Sequence, residues 1–155
     1  MKLSAHFTRR EITRSLTADR LGIDNSLPDD MLEYWRAGCD YLEAVRTIVA
    51  TPITIASGYR CRELNKHVAG SSTTSQHTGK WKGLYCCAFD IEINDENDML
   101  FYAIKNSRLD FDQLIWEYGD DAAPAWVHIG FVIGRQMRKQ ILRKPLGPVK
   151  NEACK

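Results

Sequence analysis

The sequence predicts an α+β fold, in which N-terminal helices precede a central, mostly antiparallel sheet. The longest run of apolar residues at helical spacing lies before residue 50, whereas short alternating or β-branched segments are commoner after it. Chains that separate helices from strands in this way typically form α+β domains. Residues 1–143 are therefore expected to form one domain, and residues 144–155, with two prolines and a glycine, a flexible tail.

The N-terminal third is predicted to hold a short helix, a loop and the longest helix. Thr8 and Glu11 have the spacing of a capping box, which favours a short helix after residue 8. Residues 16–27 are rich in turn-forming residues and predict a connecting loop. Pro28 opens the long helix. Its predicted core face consists of Met31, Trp35, Cys39, Leu42, Val45 and Val49.

Short elements alternate with loops in the rest of the chain. Alternating and β-branched segments predict strands over residues 52–56, 88–93, 111–118, 126–131 and 136–142. Helices are expected over residues 62–68 and, capped by Asn94 or Asp95, through about residue 106. Residues 70–75 are expected to form a loop.

Composition excludes several classes of protein. The 155 residues carry 21 basic and 20 acidic side chains, a net charge of +1, which argues against a nucleic-acid binder. No apolar run reaches the roughly 18–20 residues that span a membrane. No secretory signal, which needs roughly 7–15 apolar residues, opens the chain. We therefore expect a monomer made in the cytoplasm, without a nucleic-acid or membrane partner.

Three side chains of metal-binding type could converge on the predicted sheet. Alternation places Asp90 on the opposite strand face from Phe89 and Ile91. His128 likewise lies opposite its own apolar neighbours, so it could meet Asp90 across the sheet, and a polar loop could supply His77. Two imidazoles and a carboxylate are a ligand set of catalytic zinc, which keeps one further position open.

The residues alone also permit a simpler interpretation. His128 could be a packed strand histidine, Asp90 the cap of a strand end and His77 a surface loop residue. The acidic residues between 90 and 98 lack the spacing of an EF-hand loop, which argues against calcium. The odd number of cysteines, five, without a predicted signal peptide argues against an obligatory disulfide framework. No Cys-x-x-Cys pair is present, which argues against a zinc ribbon.

Several motifs, taken in order, resemble one known family. They are Ile-Ala-Ser-Gly-Tyr-Arg at 55–60, Leu-Asn at 64–65, Ser-Gln-His at 75–77, Ala-Phe-Asp-Ile at 88–91, Phe-Asp-Gln-Leu-Ile-Trp-Glu at 111–117 and Trp-Val-His at 126–128. The set resembles the zinc D-Ala-D-Ala carboxypeptidases and murein endopeptidases, the LAS-type metallopeptidases. Residues 3–8 and 21–25 resemble the small, phage-associated branch of that family, so the resemblance spans residues 3–131.

The resemblance implies a LAS/hedgehog-type fold, a bound Zn²⁺ and roles for individual residues. The implied zinc ligands are His77, Asp90 and His128. The implied substrate-binding residues are Arg60, Ser75 and Gln113. The Ser75 hydroxyl could equally act as a cap for the loop that carries His77.

A peptidase of this kind needs a general base, which takes a proton from water and returns it to the leaving amine. Glu117 is the implied base, because it ends the Leu-Ile-x-Glu motif. Some family members instead carry an acidic residue three positions before the last histidine, where this chain has Ala125. Asp120 and Asp121 are the alternatives to Glu117.

The spacing from His77 to Asp90 is longer than the family pattern, and the extra residues fall within residues 80–87. We expect this insertion to form a hairpin or flap beside the cleft. Trp81 and Tyr85 within it could stack on a glycan or peptide, or they could belong to a merely packed loop.

The resemblance predicts a zinc peptidase that cuts peptidoglycan stem peptides, either between D-amino acids or between L-Ala and D-Glu. Such an enzyme would reach the cell wall by holin-type release, as an endolysin does, or as part of a virion. The chief alternative is a non-enzymatic, zinc-stabilised binding or structural module of a virion. A cytosolic dipeptidase acting on free D-Ala-D-Ala, with a closed pocket, is a third possibility.

Overall fold

The structure, a computed structural model, describes residues 1–145 and has the expected α+β architecture. Its helices are α1 (Arg9–Thr13), α2 (Leu16–Leu21), α3 (Leu32–Val49), α4 (Arg62–His67) and α5 (Asn97–Asn106). Its strands are β1 (Thr54–Ser57), β2 (Lys80–Trp81), β3 (Leu84–Glu92), β4 (Gln113–Glu117), β5 (Trp126–Val132) and β6 (Gln140–Arg143). None of the helices within residues 1–145 is long and apolar enough to cross a membrane.

The strands form one sheet in the order β1, β3, β5, β4, β6, and β2 pairs with β3 outside that path. Every pair is antiparallel except β4 with β6, so the prediction of a mostly antiparallel sheet is confirmed. β3 and β5 lie side by side at the centre, and their paired positions run from Cys86 opposite Val132 to Ile91 opposite Val127. Residues on these two strands therefore have fixed cross-strand neighbours.

The helix α3 packs against the sheet, and its predicted core face is confirmed because all six residues of that face are buried. Trp35 makes an edge contact with Phe89 of β3, with ring centroids 5.2 Å apart. Gly38 allows the helix to approach closely, because a side chain there would overlap the Cys87 sulfur. The apolar face of the central strands is thus covered by α3, and the other face is left for polar side chains.

The prediction of a loop over residues 16–27 is wrong, because α2 lies within it. Ser15 caps this helix by accepting a hydrogen bond from the Ala18 N–H at 3.2 Å. Ala18 is the helix's buried residue, and Leu16 is 84% exposed. The helix therefore lacks the apolar periodicity from which a helix is usually predicted.

The predicted caps of the second long helix are also wrong. α5 begins at Asn97, and neither Asn94 nor Asp95 caps it. Asp95 has a φ of 60°, a left-handed conformation that an N-cap residue does not adopt. Asn97 instead uses its side-chain oxygen to accept a hydrogen bond from the Ile93 N–H at 3.0 Å.

Residues 80–87 form the expected hairpin. Lys80 pairs with Tyr85, and Trp81 pairs with Leu84. The two turn residues between them, 82 and 83, both have positive φ, as a tight two-residue hairpin of this kind requires. The end of the insertion continues into β3, where both of its cysteines are buried in the central sheet.

The beginning of the predicted tail is attached to the sheet. The Lys144 N–H donates a hydrogen bond to the Trp116 carbonyl at 2.8 Å, which extends the contact between β4 and β6. Residues 146–155 of the predicted tail, with Cys154, lie outside the described residues.

Candidate active site

Asp90 and His128 face each other across the centre of the sheet. They are a directly paired couple of β3 and β5, so their side chains lie on the same face. The Asp90 Oδ1 and His128 Nδ1 atoms are 3.0 Å apart, and both residues are buried. The alternation of polar and apolar residues in the two strands predicts this arrangement.

His77 reaches the same point from the 3₁₀ turn Gln76–Thr78. The Ser75 hydroxyl accepts a hydrogen bond from the His77 backbone N–H at 3.3 Å and so helps to shape the turn. On the ring, Nδ1 lies 2.6 Å from the Gly58 carbonyl, which can only accept, so Nδ1 carries the proton. The other nitrogen, Nε2, lies 3.2 Å from both Asp90 Oδ1 and His128 Nδ1.

The three side chains fit a zinc ion. Ligand atoms at about 2.0–2.1 Å from a tetrahedral zinc ion lie roughly 3.3 Å from one another, and these three atoms have nearly that separation. Because His77 Nδ1 holds the proton, the lone pair of Nε2 faces a carboxylate oxygen. Two acceptors so close together in a buried site call for a cation between them.

The protonation states of this group also suit a metal. Burial is the main cause that lowers the pKa of His77, which keeps the imidazole neutral. Burial by itself would raise the pKa of Asp90, but the neighbouring imidazoles of His77 and His128 outweigh it, and the pKa lies well below its usual value. A neutral imidazole and an ionised carboxylate are the forms that bind zinc.

Arg60 lies beside the cluster, and its strongest contacts are within the protein. Its Nη2 donates to Asp90 Oδ2 at 2.6 Å, and its Nε donates to the Ser57 hydroxyl at 3.0 Å. Hydrogen bonds of this kind fix the orientation of a ligating carboxylate. Arg60 also lines the cleft, so its predicted contact with substrate stays a prediction.

Glu117 ends β4 on the same face of the sheet and lies next to His128, with 3.9 Å between Oε1 and Nδ1. Its other oxygen accepts a hydrogen bond from the Trp126 indole N–H at 2.9 Å. Lys144 places its ammonium 2.7 Å from Oε1. The side chain of Glu117 is only 5% exposed, so these contacts hold a buried carboxylate in one orientation.

The two alternative acidic residues lie away from the cluster. Asp120 accepts hydrogen bonds from the backbone N–H groups of Ala122 and Ala123 and caps a turn. Asp121 is 83% exposed and pairs with Arg143. Neither aspartate lines the cavities that contain Asp90.

The cluster lies in a groove that consists of two adjoining cavities, which we call its arms. One arm is a cavity of about 240 Å³, whose lining includes the predicted residues Ser75 and Gln113. The other arm, about 450 Å³, is more apolar, and its lining includes Tyr118 and Trp126. Asp90 lines both arms, whereas His77 and His128 line the smaller arm.

The hairpin insertion contributes one aromatic ring to the groove. Trp81 lines the smaller arm, and the guanidinium groups of Arg135 and Arg138 both lie over its ring, at 4.9 and 4.6 Å from the centroid. Tyr85 is stacked on Tyr34 with ring centroids 3.8 Å apart, so it is packed against α3.

Sequence reasoning missed several residues that build the site. Lys144 and Arg138 line the groove but belong to a part of the chain without a motif. Asp112 is fully buried and accepts a hydrogen bond from Gln76 at 2.7 Å. Gln76 lies in the Ser-Gln-His motif and Asp112 in the Phe-Asp-Gln motif, yet neither motif indicated this contact.

Comparison with known protein families agrees with a metal-binding active site at this cluster. The family model described as peptidase M15 matches residues 5–130, which is most of the chain. No match was found among the curated proteins or among the solved structures. The matched span contains His77, Asp90, Glu117 and His128. The chain therefore belongs to the peptidase M15 family of metallopeptidases.

Proposed function

We propose that this protein is a zinc-dependent peptidase that hydrolyses peptide bonds in peptidoglycan stem peptides. Membership of the M15 family supports a zinc peptidase that acts on such peptides. The observation that carries the proposal is the position of the Glu117 carboxylate, 3.9 Å from His128 and in the same groove as the three-residue donor set. A proton acceptor next to a metal site is the arrangement that peptide hydrolysis needs.

His77, Asp90 and His128 would hold the zinc. When bound, zinc supplies a Lewis acid that polarises a carbonyl and lowers the pKa of water. The Gly58 carbonyl and the Arg60 guanidinium keep two of the three ligands in their orientation. This preorganisation lowers the entropic cost of forming the site.

Glu117 would move the proton during hydrolysis. Its carboxylate accepts a proton from the water that attacks the scissile carbonyl carbon, and it then gives that proton to the amine nitrogen as the C–N bond breaks. The Trp126 indole and the Lys144 ammonium fix the position of the carboxylate.

The open groove supports a substrate that is part of a polymer. Free D-Ala-D-Ala needs only a small closed pocket, whereas here the cluster borders two adjoining cavities. We therefore favour stem peptides, cut between D-amino acids or between L-Ala and D-Glu, over the free dipeptide. In this proposal the protein acts as a monomeric domain that reaches the wall after holin-type release or within a virion.

The variant Glu117→Gln tests the proposal. The zinc-loaded protein should release peptides from purified cell walls, identified by mass spectrometry of the digested muropeptides, and chelation should stop the release. E117Q should bind zinc normally but release peptides roughly 10²–10⁴-fold more slowly, because it cannot accept the proton. Equal activity of E117Q and the wild type would contradict the assigned role of Glu117.

One observation favours the non-enzymatic alternative. The ammonium of Lys144 is 2.7 Å from Glu117 Oε1, so this oxygen already has an ion-pair partner within the protein. If zinc-loaded wild-type protein binds purified cell walls without releasing any peptide, the zinc-stabilised binding or structural module is the better description.

A further inference from the structure

A cluster of charged residues at the smaller arm of the groove has no part in the chemistry described above. Its centre is Asp112, which is fully buried. Asp112 Oδ1 accepts a hydrogen bond from Arg135 at 2.6 Å, and Oδ2 accepts hydrogen bonds from Arg138 at 2.6 Å and from Gln76 at 2.7 Å. We call these four residues the Asp112 cluster.

The Asp112 cluster has a net charge of +1. Its single carboxylate faces two guanidinium groups, both within salt-bridge distance. The other two cations on the groove are already paired, Arg60 with Asp90 and Lys144 with Glu117. The excess positive charge of the groove wall therefore belongs to the Asp112 cluster.

Arg138 is the member that brings this charge to the groove. It lines the cavity together with Trp81, whereas Arg135 is not among the lining residues. Its Nε and Nη2 donate to Asp112, and among the described residues Nη1 has no hydrogen-bond acceptor. The stacked Trp81 ring holds the guanidinium plane, so its unused edge has a fixed position.

Gln76 helps to hold Asp112 beside the cavity. Its amide nitrogen donates to Asp112 Oδ2 at 2.7 Å, and its buried Oε1 lies where a side chain at Gly130 would stand. Because Gln76 and Arg138 donate to the same oxygen of Asp112, their side chains lie next to each other.

We propose that Arg138 is a specificity-determining residue that binds a carboxylate of the peptide substrate. A guanidinium with a free edge matches a carboxylate in shape and charge. The inference rests on the proposed function and adds to it a substrate requirement. Arg138 lies beyond the matched span of residues 5–130, so this requirement belongs to the chain's own C-terminal segment.

A stem peptide offers two carboxylates of this chemistry. One is the terminal carboxylate of the last D-Ala, and the other is the α-carboxylate of a γ-linked D-Glu. Three synthetic forms of the peptide L-Ala-γ-D-Glu-L-Lys-D-Ala-D-Ala show which carboxylate is bound. In the first both carboxylates are free, in the second the C-terminus is amidated, and in the third the D-Glu α-carboxylate is amidated.

The test compares Arg138→Gln with the matched control Arg135→Gln. Both residues contact Asp112 and Trp81, so a purely structural effect should appear in both variants. The wild type should cleave the peptide with both carboxylates free roughly tenfold to a hundredfold more efficiently, by kcat/KM, than one of the two amidated peptides. R138Q should bring this ratio close to one, and R135Q should keep it.

Binding measurements keep the test independent of turnover. Calorimetric titration of the zinc-loaded proteins with the same three peptides should show the same preference for one carboxylate, lost in R138Q alone. If no protein hydrolyses any peptide but this binding preference is present, the proposed hydrolysis fails and the carboxylate site stands. If R138Q keeps the wild-type ratio in both assays, or if the wild type shows no preference, the inference is overturned.

Discussion

The two oxygens of the Asp90 carboxylate have different neighbours. Oδ1 faces the ring nitrogens of His77 and His128, whereas Oδ2 accepts the hydrogen bond from Arg60 at 2.6 Å. A carboxylate held in this way presents one oxygen to a metal in a fixed orientation. Arg60, the last residue of the motif at 55–60, can therefore serve the site by holding Asp90.

This contact separates two roles of Arg60. Arg60→Gln should lower the affinity for zinc by roughly 10–100-fold, because the Asp90 carboxylate loses the cation that orients it. Competition with a fluorescent zinc chelator measures this affinity. Arg62→Gln is the matched control, since Arg62 is exposed on α4. Unchanged zinc affinity together with a raised KM would instead assign Arg60 to substrate binding, as the family resemblance implies.

At the scale of elements, the site depends on how closely the turn Gln76–Thr78 packs on β5. Gly130 is paired with Ala88 and Gln113 in the neighbouring strands. A side chain at Gly130 would overlap the Gln76 amide oxygen. Because Gly130 has no side chain, Gln76 can fit between β5 and Asp112.

Gly130→Ala should destabilise the protein by about 1–3 kcal/mol, since Gln76 must leave its buried hydrogen bond to Asp112. Urea denaturation measures the change. The double variant G130A/Q76A gives the control, because the overlap disappears when Gln76 is shortened. The penalty of G130A should be smaller in the Q76A background. An equal penalty in both backgrounds would show that the Gln76 contact is not the cause.

At the scale of the whole molecule, the zinc ligands connect segments that are far apart in the chain. His77 comes from a turn, Asp90 from β3 and His128 from β5. A ligand that binds only the folded chain stabilises it by mass action. Bound zinc should therefore stabilise the complete domain against unfolding.

Removal of zinc should lower the melting temperature. Zinc at about 1,000 times its Kd contributes about 4 kcal/mol, and for a domain of this size each kcal/mol shifts Tm by roughly 2–4 °C. A decrease of roughly 8–16 °C on adding EDTA is expected by calorimetry. His77→Ala should abolish the shift. A wild-type Tm that does not respond to EDTA, or an H77A variant that responds as strongly, would argue against this zinc site.

Much of the fold could be predicted because its signals are local. The apolar face of α3 and the alternation around Asp90 and His128 are visible within single elements, and both predictions agree with the structure. α2 could not be predicted in this way, because its sequence carries no apolar face and Leu16 points to solvent. The start of α5 could not be predicted from a capping residue, because its N-cap position is Glu96 and no side chain caps the helix there.

The sequence by itself determined the α+β class, the sheet faces of Asp90 and His128 and, through ordered motifs, the family. Only the tertiary structure decided that Lys144 pairs with Glu117, that Arg60 holds Asp90, and that Asp112 joins Gln76 to Arg138. The physical reason is that alternation and helical spacing act between near neighbours and repeat along the chain. Ion pairs between distant segments have no such period, so they become visible only when the sheet brings those segments together.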